Sequence, residues 1–121
     1  MRIRLFPERL YLARVPEFPA AALGTPFFAY VEAQGQKTAV LLEPLVPEGA
    51  EAEGPFRMLE VEGPIPLEAI GVLGKIGSAL AEAGVSMFAY SGFVTDYFLV
   101  RETHLRLAEK ALVEAGFEVV R

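Results

Sequence analysis

The segment LEAIGVLGKIGSALAEAGVSMFAYSGFVTDYFLV, residues 67–100, decides the fold. Its first part repeats apolar residues at the spacing of one helical face: Leu67, Ile70, Leu73, Ile76 and Leu80. This spacing predicts a helix with one buried side, which Gly84 ends in a left-handed conformation. The remainder predicts two strands, residues 85–91 and 96–101. Too few residues separate these strands for a crossover, so they are predicted to form a hairpin.

The flanking residues extend this pattern to six elements. Upstream, FRMLEVEG (56–63) predicts a strand, and downstream FEVV (117–120) predicts another. Between them, Thr103 is the predicted N-cap of a second helix. That helix has one apolar face: Leu105, Ala108, Leu112 and Ala115. The order βαββαβ with right-handed crossovers predicts an α+β, ferredoxin-like fold, with a four-stranded antiparallel sheet and both helices on one face.

The N-terminal half predicts a smaller, β-rich module. Its strands are predicted at 9–15, 27–33 and 35–44, with a hairpin turn in EAQGQKT, room for one or two helical turns before residue 27, and a loop at 46–55. This half is similar to the second half with one helix shortened and the other lost. Its uncovered sheet face favours cover by a sister domain or a second chain. We therefore expect two modules, 1–55 and 56–121, and a homodimer.

Composition excludes several function classes. The net charge of −5 and the lack of a basic run disfavour binding to nucleic acid or to an anionic membrane surface. The chain has no cysteine, so thiolate catalysis and disulfides are excluded. No signal peptide and no apolar stretch of about 18 residues is found, which favours a cytoplasmic location. The absence of asparagine and the excess of arginine over lysine favour a thermophilic source.

Candidates for catalysis or metal binding are few. The single histidine, His104, lies at the predicted start of a solvent-facing helix. The serines lack a Gly-x-Ser-x-Gly turn, and the glutamates of the 46–55 loop lack calcium-loop spacing. We expect no catalytic residue, no metal site and no cofactor, and therefore no enzyme.

Three glycines recur along the predicted first helix, at Gly71, Gly74 and Gly77. A glycine inside a helix costs about 0.5–1 kcal/mol relative to alanine, so close backbone approach by a neighbour is the expected reason for Gly74 and Gly77. Gly71 is nearer the helix start, where unpaired N–H groups favour an anion such as a carboxylate. For Gly71 both interpretations stay open.

The residues YSGFVTDYFLV (90–100) combine an apolar run with polar interruptions. A hairpin loop from Gly92 to Thr95 accounts for the glycine, but it leaves Phe93 and Val94 unusually apolar for an exposed tip. Asp96 needs solvent or a charged partner, because an unpaired buried carboxylate is unfavourable. An aromatic ring beside a fixed carboxylate suits an amino-acid ligand, whose ammonium pairs with the carboxylate.

The segment Leu59–Val120, which includes these residues, resembles the ACT domain, and in particular the tandem-ACT group that includes the cytosolic arginine sensors. The motifs are EGPIPLEAIGVLGKIGSALAEAGVSMFAYSGFVTDYFLV and LRLAEKALVEAGFEV. In that group a serine ends a strand, an aromatic residue follows, and a Thr-Asp pair precedes the next strand. Here these are Ser91, Phe93, Thr95 and Asp96. ERLYLARVP is also similar to the N-terminal region of that group.

The resemblance implies a regulatory protein that binds an amino acid at an interface between ACT modules. The loop that enters the first helix would hold the α-carboxylate of the ligand: Ile65, Gly71, Val72 and Leu73. Phe93 and Asp96 would contact its ammonium and side chain, beside Ser91. Family members commonly have threonine where this chain has Gly92, which removes one hydroxyl from the implied site.

Two other interpretations compete with this one, and the enzyme ranks lowest. An ACT-like sheet can serve only for dimerisation or partner binding, without a ligand. An enzyme of the acylphosphatase type would need an asparagine beside an arginine, and the chain has no asparagine.

Overall fold

The computed structural model describes residues 1–62 and 71–121. Within these residues the regular elements are, in chain order, β1 (Arg2–Arg14), β2 (Ala29–Ala33), β3 (Gln36–Leu42), β4 (Ala52–Val61), α1 (Val72–Glu82), β5 (Phe88–Ser91), β6 (Asp96–Arg101), α2 (Leu105–Glu114) and β7 (Glu118–Val120). Short 3-10 turns occur at Ala20–Ala22, Glu43–Leu45 and Glu102–His104. Contacts divide the chain into a larger unit, Met1–Pro7 with Arg57–Arg121, and a smaller unit, Glu8–Phe56.

The larger unit has an α+β fold in which β4 to β7 follow the predicted order βαββαβ. Its sheet differs from the predicted four-stranded antiparallel one. The strand order is β7-β1-β4-β6-β5, so the start of β1 lies between β4 and β7, and it runs parallel to β7. The predicted first strand began at Arg9, which was wrong. Buried Ile3 and Leu5 alternate with exposed neighbours, the pattern of a half-buried strand, and β1 continues through Pro7.

The core of the larger unit lies between the sheet and the two helices. Its buried apolar residues are Ile3, Leu5, Leu59, Val61, Ile76, Leu80, Val85, Phe98, Val100, Ala108, Leu112 and Phe117. The predicted helix faces are confirmed at Ile76 and Leu80, and at Ala108 and Leu112. Gly84 follows α1 with φ 76°, as predicted for the end of the helix. The predicted helix start at Leu67 and Ile70 lies outside the described residues.

The second helix begins later than predicted, and Thr103 is not its N-cap. The chain leaves β6 in the 3-10 turn that contains Thr103, so α2 begins only at Leu105 with His104 as its N-cap. Within residues 1–62 and 71–121, no side-chain hydrogen bond caps this end of α2. In the same turn, the Glu102 carboxylate lies 3.6 Å from the Arg57 guanidinium.

The smaller unit is built on β1, β3 and β2, which pair antiparallel. Gln34 and Gly35 form the predicted hairpin turn, both with positive φ. The predicted helical turn is present as Ala20–Ala22, and its Ala22 joins a small core: Ala13, Val15, Ala22, Ala39 and Leu41.

The predicted loop at 46–55 was wrong in its last part, where β4 begins at Ala52. Gly54 and Pro55 look like turn residues, yet both lie within the strand. A Cβ atom at Gly54 would lie 2.7 Å from Cδ2 of Tyr11, so this glycine allows close approach of a ring. The division into modules 1–55 and 56–121 remains a prediction, and the contacts differ from it by grouping Met1–Pro7 with the C-terminal residues.

Candidate functional site

The hairpin of β5 and β6 forms the centre of the candidate site. Its strands pair antiparallel from Phe88 opposite Leu99 to Ser91 opposite Asp96. The N–H of Gly92 donates to the carbonyl of Thr95 at 2.8 Å, which closes the four-residue loop. The predicted hairpin is therefore confirmed, and it brings Ser91, Gly92, Phe93 and Asp96 together in one turn.

Strand alternation places Asp96 on the helix-covered face of the sheet. Side chains two residues apart in a strand share a face, so Asp96 lies on the same face as Phe98 and Val100. Phe98 and Val100 pack in the core with Ile76 of α1. Because paired residues share a face in an antiparallel ladder, Ser91 lies beside Asp96 there. Asp96 is half-buried and is the only aspartate in the chain.

The tip of this hairpin is apolar and open to solvent. The side chains of Phe93 and Val94 are 84% and 56% exposed. Solvation alone favours polar residues at such a turn. The exposed ring belongs to a residue three positions before Asp96.

Thr95 ties the hairpin tip to the end of β4. It is the buried polar residue of the described chain, only 7% exposed, and its hydroxyl donates to the carbonyl of Val61. Val61 is the last residue of β4. The hairpin tip therefore lies against the strand end from which the chain continues towards α1. No local pattern in the sequence links Thr95 to Val61, which is 34 residues earlier in the chain.

Gly71 lies directly before the first residue of α1, whereas the apolar spacing predicted it inside the helix, near its start. It is the N-cap of α1 with φ 84°, a left-handed conformation that suits glycine, and the Lys75 N–H donates to its carbonyl at 2.8 Å. No acidic residue lies in the first turn, and no side chain from the described residues caps it. Val72 and Leu73 follow, both half-buried against the core. The predicted site residue Ile65 lies outside the described residues.

The other two helix glycines differ from each other. A Cβ atom at Gly77 would lie 3.3 Å from the terminal methyl of Met87, in line with the close approach predicted there. At Gly74 no atom of residues 1–62 and 71–121 would lie within 4 Å of a Cβ, so the described residues give no close approach there.

The space beside Gly92 is filled by a ring. A Cβ atom at Gly92 would lie 3.1 Å from Cε2 of Tyr97 and 3.1 Å from the Thr95 carbonyl oxygen. The tyrosine ring thus occupies the volume that a side chain at position 92 would need. This gives a steric reason for a glycine at position 92.

Other chemistry has little geometric support. No group of three or more histidine, cysteine, aspartate or glutamate side chains comes together among residues 1–62 and 71–121 in a way that suits a metal ion. In the same residues, no helix has the length and apolar character to cross a membrane. His104 is half-buried at the N-cap of α2.

Burial raises the pKa of Tyr90, the residue opposite Tyr97 in the hairpin.

Comparison with known proteins gives a family match. The sequence profile of the ACT domain matches residues 51–114, about half of the chain. Among curated proteins, no sequence matches.

Several solved structures share the fold. The protein Atu0741 of Agrobacterium tumefaciens superimposes with a TM-score of 0.89 at 23% identity, over 98% of this chain and 91% of that one. VC0802 of Vibrio cholerae, a protein of unknown function described as a possible transport protein, gives 0.77 at 23% identity, over 94% and 88%. The regulatory subunit of aspartate kinase from Thermus thermophilus gives 0.63 at 15% identity, over 94% and 96%. At these identities the likeness shows the fold alone.

Proposed function

Because the chain belongs to the ACT domain family, we propose that it is a non-enzymatic regulatory protein that binds an amino acid. In this proposal it is a member of the tandem-ACT group that resembles the cytosolic arginine sensors. The ligand lies at an interface between ACT modules, which two copies of the chain supply as a homodimer. The fold shared with the aspartate kinase regulatory subunit supports a regulatory role.

The observation that carries the proposal is the placement of Asp96. Asp96 is half-buried on the helix-covered face at the end of the hairpin, opposite Ser91 and close in sequence to the exposed ring of Phe93. A carboxylate in this position offers a charged acceptor for an ammonium group, and charge-assisted hydrogen bonds are about twice as strong as neutral ones. The ring supplies apolar contact for the rest of the ligand.

The start of α1 provides the complementary charge. The N–H groups that follow Gly71 lie at the positive end of the helix dipole, and no acidic residue of the first turn neutralises them. An amino acid carries one ammonium and one carboxylate. We assign the carboxylate to Gly71, Val72 and Leu73, with Ile65 preceding them in the sequence, and the ammonium to Asp96.

A thermal-shift screen of the twenty amino acids tests this proposal. Binding stabilises the folded state by RT ln(1 + [L]/Kd), about 2.7 kcal/mol at a hundredfold excess over Kd, so a ligand raises the Tm by several degrees. The same screen on Asp96→Asn is the matched control, because the amide keeps the shape and removes the charge. A folded protein that responds to none of the twenty contradicts the proposal.

A second candidate function is a dimerisation or partner-binding module without a ligand. The exposed apolar residues at the hairpin favour it, since Phe88 on β5 is 39% exposed and Phe93 at the tip is 84% exposed. β5 also ends the strand order of the larger unit. In this case Asp96→Asn would leave self-association unchanged, whereas Phe93→Ser would weaken it. Sedimentation velocity of both variants separates the two functions.

A further inference from the structure

The hydroxyl of Thr95 holds the tip of the β5–β6 hairpin to the rest of the larger unit. Thr95 is 7% exposed, and its hydroxyl donates to the carbonyl of Val61, which is 34 residues earlier in the chain. We propose that Thr95 is a positioning residue, which fixes Asp96 and Phe93 for the ligand without touching the ligand itself. This inference rests on the proposed function.

Within the loop, Thr95 acts through both its main chain and its side chain. Its carbonyl accepts the N–H of Gly92 at 2.8 Å, which closes the turn. Its hydroxyl points to β4 and anchors the closed turn there. Phe93 and Val94, between these two contacts, are mostly exposed, so their burial contributes little to fixing the loop. The position of the tip therefore depends on the Thr95 hydroxyl.

The acceptor is a firm anchor because the end of β4 is also held from the other side. Val61 is fully buried. The N–H of Glu62 donates to the carbonyl of Arg2 at 2.8 Å. The Glu62 carboxylate lies 3.4 Å from the Arg2 guanidinium and 3.2 Å from that of Arg4. β1 thus fixes the strand end to which Thr95 binds.

The hydrogen bond from Thr95 to Val61 also connects the two parts of the proposed site, Asp96 and the start of α1. Asp96 follows Thr95 directly, and the chain runs on from Val61 to the start of α1 at Gly71. A shift of the hairpin tip would move Asp96 relative to the strand that leads to this helix. Since hydrogen-bond geometry deteriorates within a few tenths of an ångström, affinity should respond to such a shift.

Thr95→Val tests the role of the hydroxyl, because valine keeps the shape of threonine. Thr95→Ser keeps the hydroxyl and is the rescue variant. Thr25→Val is the matched control. The Thr25 hydroxyl also donates to a main-chain carbonyl, that of Ala22 at 2.7 Å, but it belongs to the smaller unit. Loss of one such bond there should lower stability without affecting the hairpin.

Two readouts are measured well below the Tm: affinity for the amino acid found in the screen, and hydrogen exchange of the Gly92 amide. For Thr95→Val we expect affinity to fall by about tenfold, the value of one hydrogen bond, and exchange at Gly92 to rise by a similar factor. Thr95→Ser should keep the affinity within about threefold of wild type, and Thr25→Val should change neither readout.

The outcomes separate this inference from the proposed function. Unchanged exchange at Gly92 in Thr95→Val, or equal loss of affinity in Thr95→Val and Thr25→Val, overturns the positioning role. If the wild type binds no amino acid while Thr95→Val still exposes the Gly92 amide, the proposed ligand is wrong and the positioning of the loop by Thr95 stands.

Discussion

Asp96 lies directly opposite Ser91 in the last residue pair of the β5–β6 hairpin, on the face of the sheet that the helices cover. Both side chains therefore lie on the same face, at the point where the hairpin ends and its apolar tip begins. An acceptor and a donor placed side by side in this way suit the polar end of an amino acid.

Asp96→Asn should weaken amino-acid binding by about 10- to 100-fold, because a hydrogen bond to a charged group contributes about 1.5–3 kcal/mol. We expect only a small change in Tm, since asparagine has nearly the same volume. Isothermal titration calorimetry gives the affinity. Glu118→Gln, which removes a charge from the opposite edge strand β7, is the control and should bind like wild type. Equal affinities for wild type and Asp96→Asn would refute the assigned role.

Gly92→Thr should destabilise the fold. The added side chain would meet the Tyr97 ring and the Thr95 carbonyl at 3.1 Å, and overpacking of this kind costs about 1–3 kcal/mol. Urea unfolding measures the change. Gly74→Ala is the matched control, because open space surrounds position 74 among the described residues. Alanine there should stabilise α1 by about 0.5–1 kcal/mol. A Gly92→Thr protein as stable as wild type would show that Tyr97 yields without strain.

Arg57→Ala should lower the free energy of unfolding by about 1–3 kcal/mol, because it removes charge-assisted hydrogen bonds to a main-chain carbonyl. The guanidinium donates twice to the carbonyl of Phe6, at 2.9 and 3.2 Å, and lies 3.6 Å from Glu102. Its side chain is only 18% exposed. Arg14→Ala is the control, since the exposed pair of Arg14 with Glu51 at 3.3 Å should contribute less than about 1 kcal/mol. Equal effects of the two substitutions in urea unfolding would contradict this account.

Tyr90→Phe should flatten the fall in stability at high pH. Burial raises the pKa of Tyr90 above its ordinary value of 10.0, so the unfolded state releases this proton at lower pH than the folded state. The contribution of Tyr90 is therefore present below about pH 10 and is lost as the pH rises through the folded pKa. The measurement is the Tm of both proteins from pH 8 to 11. Parallel curves would show that Tyr90 is not the responsible group.

The helices were predictable because a single periodic signal specifies each of them. Ile76 and Leu80 repeat at the spacing of one buried face, and glycine ends both helices. The start of β1 was missed because Pro7 interrupts an otherwise alternating pattern. The start of β4 was missed because Gly54 and Pro55 resemble a turn, whereas the glycine makes room for the Tyr11 ring.

The candidate site was predictable only where its residues are neighbours in sequence. The hairpin and the pairing of Ser91 with Asp96 follow from a short connection between two strands. The bond from Thr95 to Val61 spans 34 residues and depends on how β4 and β6 meet, so no local pattern signals it. The position of the Tyr97 ring beside Gly92 was equally unpredictable. The sequence shows that a tyrosine is present, but it does not show where the ring lies.

We propose that an amino acid binds between the start of α1 and the tip of the β5–β6 hairpin. The most direct test is a titration of the isotope-labelled protein with the amino acid found in the screen, followed by NMR at each backbone amide. We predict the largest chemical-shift changes in two segments, Gly71–Leu73 and Ser91–Asp96, and their loss in Asp96→Asn. Changes confined to Glu8–Phe56, or no change with any of the twenty amino acids, would contradict the claim.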